Sequence, residues 1–90
     1  MEPADDPTVQ EYRRKITAED AAIIAALNRR IELVSGLFAH KREHGYPISD
    51  PGREERLLGE LRQANDGPLS DERLGELVAL ILDICRTESR

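Results

Sequence analysis

The sequence predicts an all-α protein with three helices per chain, one long and two shorter, that intertwine with a second copy in a homodimeric helical bundle. Apolar residues recur at steps of three and four in three segments, and no segment alternates with the two-residue period of a strand. Clusters of Pro and Gly separate the three segments. The first segment is too long to be covered by the other two, and this mismatch predicts the second copy.

The long first helix is predicted from about Val9 to about Glu43. Apolar residues recur at helical spacing along it, at Ile16, Ile23, Leu27, Val34, Leu37 and Phe38. Gly45 and Pro47 end it. The preceding residues 1–8 are acidic and contain two prolines, so we expect a disordered lead-in before a helical domain over residues 9–90.

Two shorter helices follow. Asp50 is a predicted N-cap with Pro51 at the first helical position, and the helix carries an apolar face of Leu57, Leu58 and Leu61. Residues 65–68, with the sequence Asn-Asp-Gly-Pro, stop this helix. The third helix is predicted to start near Ser70 as N-cap, and it carries Leu74, Leu77, Val78, Ile81, Ile84 and Cys85.

The length of the first helix predicts association. About 34 helical residues span about 50 Å, whereas a compact chain of this size has a radius of gyration of about 12 Å. A chain of 90 residues also buries a thin core, which usually requires disulfides, a metal or oligomerisation. Cys85 is the only cysteine, so no intrachain disulfide forms. We therefore expect oligomerisation to stabilise the thin core.

Composition excludes several classes of protein. The net charge of −5 argues against a nucleic-acid partner. The N-terminal residues contain no apolar run and no basic start, so we expect no signal peptide, no membrane anchor and a cytoplasmic location. His40 and His44 have helical i, i+4 spacing but no evident third ligand, and we therefore predict no metal site.

Two cations fall on the apolar stripe of the first helix. At about 100° per residue, Arg30 and Lys41 lie within about 40° of the centre of the stripe, while Arg13 and Asp20 lie nearer its edges. A buried charge is costly unless it is paired. Either these side chains extend to solvent or pair with Asp20, Glu54 and Glu88 across the bundle, or a small polyanion enters the bundle and supplies the negative charge.

An ordered set of residues resembles the all-α chorismate mutases: Arg13, Asn28-Arg29-Arg30-Ile31-Glu32-Leu33-Val34, Lys41 and Asp50-x-x-Arg53-Glu54. In that family the long first helix carries an arginine near its start, another in an xRRxELV-like segment, and a lysine eleven residues later. An Asp-x-x-Arg-Glu step follows at the entry to the second helix. The spacings 13→30, 30→41, 41→50 and 50→53 match without a gap, and the resemblance extends from about residue 9 to the end.

The resemblance implies a homodimeric enzyme that converts chorismate to prephenate in the biosynthesis of Phe and Tyr, without a cofactor. Arg30 would bind one carboxylate of this dicarboxylate substrate. Lys41 would contact a carboxylate and the ether oxygen of the breaking bond. Arg13 would reach into the site of the partner subunit.

The resemblance also assigns residues at the start of the second helix. Asp50 and Glu54 correspond to positions near the ring hydroxyl, with Arg53 as the cation beside them. The reaction requires that the diacid be held in a compact conformer and that negative charge be stabilised on the ether oxygen. Guanidinium and ammonium groups suit both tasks.

The third helix departs from the family pattern. The family has a Ser followed four residues later by a Gln or Glu that donates to the ether oxygen, and the corresponding residues here are Cys85 and Ser89. Cys85 is either a substrate contact or, more in keeping with its type, a small buried apolar residue. Ser89 is shorter than Gln, and the adjacent Glu88 becomes a catalytic candidate if it is protonated.

This departure leaves alternatives to the chorismate reaction. A relative with the same fold could act on isochorismate as a pyruvate lyase, or on 4-amino-4-deoxychorismate as a mutase. The alternative from another class is a non-catalytic helical dimer that serves as an interaction or regulatory module. Cations at Arg13, Arg30, Lys41 and Arg53 argue against it, since a dimerisation seam would carry leucines there.

Overall fold

The structure, a computed structural model, describes residues 2–89, and these residues form three α-helices and no strand. Helix α1 is Pro7–His44, α2 is Pro51–Ala64 and α3 is Asp71–Glu88. The prediction of one long and two shorter helices is confirmed. The chain divides into two compact units, residues 1–30 and 31–90, and α1 contributes to both.

Helix α1 begins two residues earlier than predicted. Pro7 occupies the first helical position, where its missing N–H costs nothing because first-turn N–H groups have no helical partner. The carboxylate of Asp6 accepts a hydrogen bond from the backbone N–H of Thr8 at 2.8 Å and so caps the helix. Residues 3–5 form a short 3₁₀ helix within the predicted lead-in, whose disorder stays a prediction.

The C-terminus of α1 is closed by a Schellman motif at Gly45. Gly45 has φ of 68°, which favours glycine, and its N–H donates to the carbonyl of Arg42 at 3.4 Å. The N–H of Tyr46 donates to the carbonyl of Lys41 at 2.9 Å. The motif ends the helix at His44 and fixes the backbone of the turn that carries Lys41.

The starts of α2 and α3 agree with the predicted caps. The Asp50 side chain accepts from the N–H of Arg53 at 3.1 Å, and Pro51 is the first residue of α2. The Ser70 hydroxyl oxygen accepts from the N–H of Arg73 at 3.2 Å at the start of α3. Short polar side chains therefore define both helix starts, as their residue types predict.

In the second unit, α2 packs against α3. The buried side chains of α3 are Leu74, Val78 and Cys85, and Cys85 is only 2% exposed. Leu57 and Leu58 of α2 are half-buried. No helix among the described residues combines the length and apolar character needed to cross a membrane.

Many large apolar side chains remain exposed in a single chain. Those on α1 that are at least half exposed are Tyr12, Ile16, Ile23, Ile24, Leu33 and Leu37. Three of these, Ile16, Ile23 and Leu37, belong to the predicted apolar stripe. Ile16 and Ile23 are seven residues apart and so share one face of the helix, which makes that face a candidate interaction surface.

Candidate functional site

Lys41 lies on the last turn of α1 and is half-buried. Its Nζ donates to the backbone carbonyl oxygen of Ile48 at 3.2 Å. Among the described residues of the second unit, no carboxylate lies within ion-pair distance of Lys41. Lys41 therefore does not pair with Glu54 within one chain, and pairing across the bundle stays a prediction.

The Asp-x-x-Arg-Glu step forms the first turn of α2. The carboxylate of Asp50 is committed to capping, because Oδ1 accepts from the N–H of Arg53. The Arg53 guanidinium forms an exposed ion pair with Glu60 at 3.6 Å. Such exposed pairs contribute little to stability, so the Arg53 side chain can leave Glu60 readily for another anion.

Glu54 is held by a residue that sequence reasoning missed. Its Oε1 accepts from Nη1 of Arg86 at 3.1 Å, which joins the first turn of α2 to the end of α3. Glu54 is half-buried, and its side chain retains 44% exposure. The two residues are 32 positions apart, so no local pattern predicts that they meet.

The end of α3 contains the residues at which the sequence departs from the family. Cys85 is buried in the single chain, which favours the packing interpretation, and its role as a substrate contact stays a prediction. Ser89 is half-buried, and its hydroxyl donates to the carbonyl oxygen of Ile31 at 3.2 Å. Glu88 is exposed. Of the two candidates, the structure ties Ser89 to the second unit and leaves Glu88 in solvent.

Arg30 is the cation whose environment is most unusual for a guanidinium. The residue is half-buried, and its Nη1 is buried with no hydrogen-bond partner among the described residues. Leaving a buried donor of a charged group unsatisfied is expensive, and native proteins rarely do so without a reason. An anion that approaches this nitrogen would remove the penalty. Arg13, by contrast, is exposed on α1.

A groove of about 310 Å³ lies between α2 and α3. Its lining is mainly apolar and includes Leu58, Val78 and Leu82, with the two carboxylates of Glu54 and Glu55 at its edge. No arginine or lysine lines it among the described residues. The carboxylates at its edge and the absence of a lining cation in the described part of the chain argue against this groove as a dicarboxylate site.

The predicted site residues thus fall into two sets. Lys41, Asp50, Arg53 and Glu54 lie at the α1–α2 connection of the second unit, and Ser89 binds back to the same unit at Ile31. Arg13 and Arg30 belong to the first unit. In the second unit, Lys41 has no acidic partner among the described residues, and such a cation is suited to bind and polarise a small anion by electrostatics.

Comparisons with known proteins place the chain beside one family of enzymes. The family model for chorismate mutase type II matches residues 12–90. The 4-amino-4-deoxychorismate mutase of Streptomyces venezuelae is 30% identical over 82 residues, which cover 89% of this chain and 80% of that protein.

Two solved structures of chorismate mutase from Thermus thermophilus share the fold. Form II superposes with a TM-score of 0.84 at 30% identity and covers 89% of this chain and 91% of that one. Form I gives a TM-score of 0.83 at 31% identity, covering 87% and 98%. With most of its length matched by the family model and two superposable structures, this chain is a member of the chorismate mutase type II family.

Proposed function

We propose that the protein converts chorismate to prephenate. The observation that carries this proposal is the buried guanidinium nitrogen Nη1 of Arg30, which has no hydrogen-bond partner within residues 2–89. A carboxylate is the anion that best matches a guanidinium, because it accepts two parallel hydrogen bonds. The enzymes of this family bind a dicarboxylate, and Arg30 is where its first carboxylate is bound.

The reaction is a rearrangement within one molecule. The ether C–O bond breaks while a C–C bond forms, and negative charge builds on the ether oxygen in the transition state. Arg30 and the partner's Arg13 hold the substrate in its compact conformer, which is an orientation task. Lys41 moves its Nζ from the carbonyl of Ile48 to the ether oxygen, where the ammonium group stabilises the developing charge.

Because α3 lacks the family's Gln or Glu, Lys41 provides more of the stabilisation of the ether oxygen. The Ser89 hydroxyl already donates to the carbonyl of Ile31, so it supports the backbone instead of the ether oxygen. The exposure of Glu88 gives no support for a protonated donor at that position. Lys41 is therefore the principal donor to the ether oxygen in this proposal.

The second candidate is a mutase for the 4-amino analogue, which the Streptomyces venezuelae relative favours. Glu54 and Asp50 lie near the ring substituent in the proposed pose, and an uncompensated carboxylate there would select an ammonium group. Arg86 compensates Glu54, and the cap bond to Arg53 occupies Asp50. A carboxylate with a cation beside it accepts from a hydroxyl and loses its preference for a cation, which supports chorismate.

The test is an assay of the purified protein on three substrates. We expect loss of the diene absorbance with chorismate, with a higher kcat/KM than for 4-amino-4-deoxychorismate or isochorismate. A higher kcat/KM for the amino analogue would replace this proposal with the second candidate. Turnover of none of the three would support the non-catalytic interaction module.

The same proposal includes a homodimer with sites shared between subunits. The exposed apolar side chains of α1, such as Ile16 and Ile23, need a covering surface, and a second copy offers a matching one. Arg13 is exposed in the single chain and so is free to reach a partner. Each site then takes Arg13 from one subunit and Arg30 and Lys41 from the other.

Mixing two inactive variants should restore activity. If Arg13→Ala and Arg30→Ala chains are unfolded together and refolded, half of the dimers are mixed, and each mixed dimer has one intact site. We expect about one quarter of the wild-type activity per chain. The control mixture is Arg30→Ala with Lys41→Ala, whose mixed dimers contain no intact site. Equal rescue in both mixtures, or rescue in neither, would contradict shared sites.

A further inference from the structure

Three potential metal ligands project together from the last turn of α1. The side chains of His40, Glu43 and His44 are exposed, and their ligand atoms all lie within 4.8 Å of one another. The sequence showed the two histidines at i, i+4, but Glu43 was missed as a third ligand. It lies three residues after His40, so the same helical face brings all three together. A tetrahedral ion could take these three ligands and one water.

A hydrogen bond orients the His44 ring in a way that is common among metal-binding histidines. Its Nδ1 lies 2.9 Å from the backbone carbonyl oxygen of His40. A carbonyl only accepts, so Nδ1 is the donor in this contact, and Nε2 is then the nitrogen through which the neutral ring would bind a metal. Metal-binding histidines commonly have this arrangement, in which the second nitrogen donates to a carbonyl and orients the ring.

Ring packing restricts the two imidazoles further. The ring centroids of His40 and His44 are 4.2 Å apart, and Tyr46 stacks on His44 at 5.3 Å with an interplanar angle of 25°. The Schellman motif at Gly45 fixes the backbone position of Tyr46. Restricted rings lose less rotamer freedom when they bind an ion.

The position on the helix also favours a cation. Glu43 is a carboxylate in the last turn, where the carbonyl end of the helix already carries partial negative charge. The neighbouring ammonium group of Lys41 is directed to the carbonyl of Ile48 and so does not neutralise Glu43. A divalent ion would satisfy both the carboxylate and the helix end.

We propose that His40, Glu43 and His44 form a surface binding site for one divalent transition-metal ion of the Zn²⁺ class. Two imidazoles and one carboxylate select borderline metals over Mg²⁺ and Ca²⁺, which prefer oxygen ligands. The ion bridges the last turn of α1, and its binding stabilises the turn that carries Lys41. The site is distinct from the proposed substrate site, because none of its three ligands is among the residues that we assign to the substrate.

The test is calorimetric titration of the full chain, without an affinity tag, with ZnCl₂. We expect one Zn²⁺ per chain, tighter binding of Cu²⁺ than of Ni²⁺, and no binding of Mg²⁺. Bound Zn²⁺ should raise the thermal unfolding midpoint, because the ion binds the folded chain preferentially. Both readouts are independent of catalytic activity.

Matched variants assign the ligands. His40→Ala and His44→Ala should each abolish the Zn²⁺ heat, and Glu43→Gln should weaken binding by about tenfold. Glu55→Gln removes an equally exposed carboxylate from α2 and should leave binding unchanged. Zn²⁺ binding that survives His40→Ala and His44→Ala, or no binding to the wild-type chain at about 1 mM Zn²⁺, would overturn the proposal.

Discussion

Replacing Arg30 with alanine should reduce kcat/KM for chorismate by about a thousandfold, because one preorganised, charged donor is removed from a site that works by electrostatics. The Nη1 of Arg30 is buried and has no partner among the described residues, so it is available to the substrate without first breaking another interaction. The guanidinium binds a carboxylate that is present in both the substrate and the transition state. A large share of the loss should therefore appear as a higher KM in steady-state kinetics.

The chain offers a matched control one residue away. Arg29 is also on α1 but is exposed, and Arg29→Ala should keep nearly all of the activity. Arg30→Lys should recover only part of the loss, since an ammonium group cannot form the two parallel bonds of a guanidinium. Full activity in Arg30→Ala would refute the assignment of this residue to the substrate.

Stability separates a binding role from a structural role for Arg30. A buried guanidinium nitrogen without a hydrogen-bond partner costs free energy in the apo protein. Arg30→Met keeps the length and apolar stem of the side chain, so its denaturation midpoint should equal or exceed that of the wild type at the same protein concentration. A large loss of stability in Arg30→Met would instead indicate that the guanidinium holds the fold together.

Helix boundaries were predictable because local chemistry determines them. The polar caps at Asp50 and Ser70 and the glycine at Gly45 act over three or four residues, and the structure has each of them in its predicted role. The start of α1 was predicted too late, because the apolar pattern begins at Val9 whereas Asp6 and Pro7 already provide a cap and a first turn. Apolar periodicity predicts which face of a helix packs, but it carries no information about the polar first turn before that face begins.

Partial burial of a cation was predictable where helical spacing places it on the apolar stripe, whereas the roles of such cations toward a substrate stay predictions. The half-buried cations Arg30 and Lys41 are of this kind. Contacts between elements were not predictable, and Arg86 is the clearest example, because its partner Glu54 lies on a different helix. The hydroxyl of Ser89 likewise finds the carbonyl of Ile31 across 58 residues. Such pairs depend on how helices pack, and a single sequence carries no local signal for them.

Lys41→Ala should lower kcat for chorismate by about a thousandfold or more, with a smaller change in KM. The charge on the ether oxygen exists only as the C–O bond stretches, so the ammonium group stabilises the transition state more than the substrate. The loss should be larger than in relatives with a Gln or Glu on α3, because Ser89 is bonded to the carbonyl of Ile31 and Glu88 is exposed. Pre-steady-state kinetics with saturating chorismate measures the chemical step directly.

Lys41→Ala also removes the hydrogen bond from Lys41 to the carbonyl of Ile48, and loss of this bond could by itself lower kcat. A second variant separates this structural effect from the loss of charge. Lys41→Gln retains a neutral donor of similar length that can still bind the carbonyl of Ile48, while it lacks the positive charge. If Lys41 stabilises the transition state through its positive charge, Lys41→Gln keeps the unfolding midpoint of the wild type but loses most of kcat. Arg42→Gln, which removes an exposed cation from the next position, should leave kcat unchanged. Retained turnover in Lys41→Gln would mean that this residue acts by holding the α1–α2 connection, and the ether oxygen would need another donor.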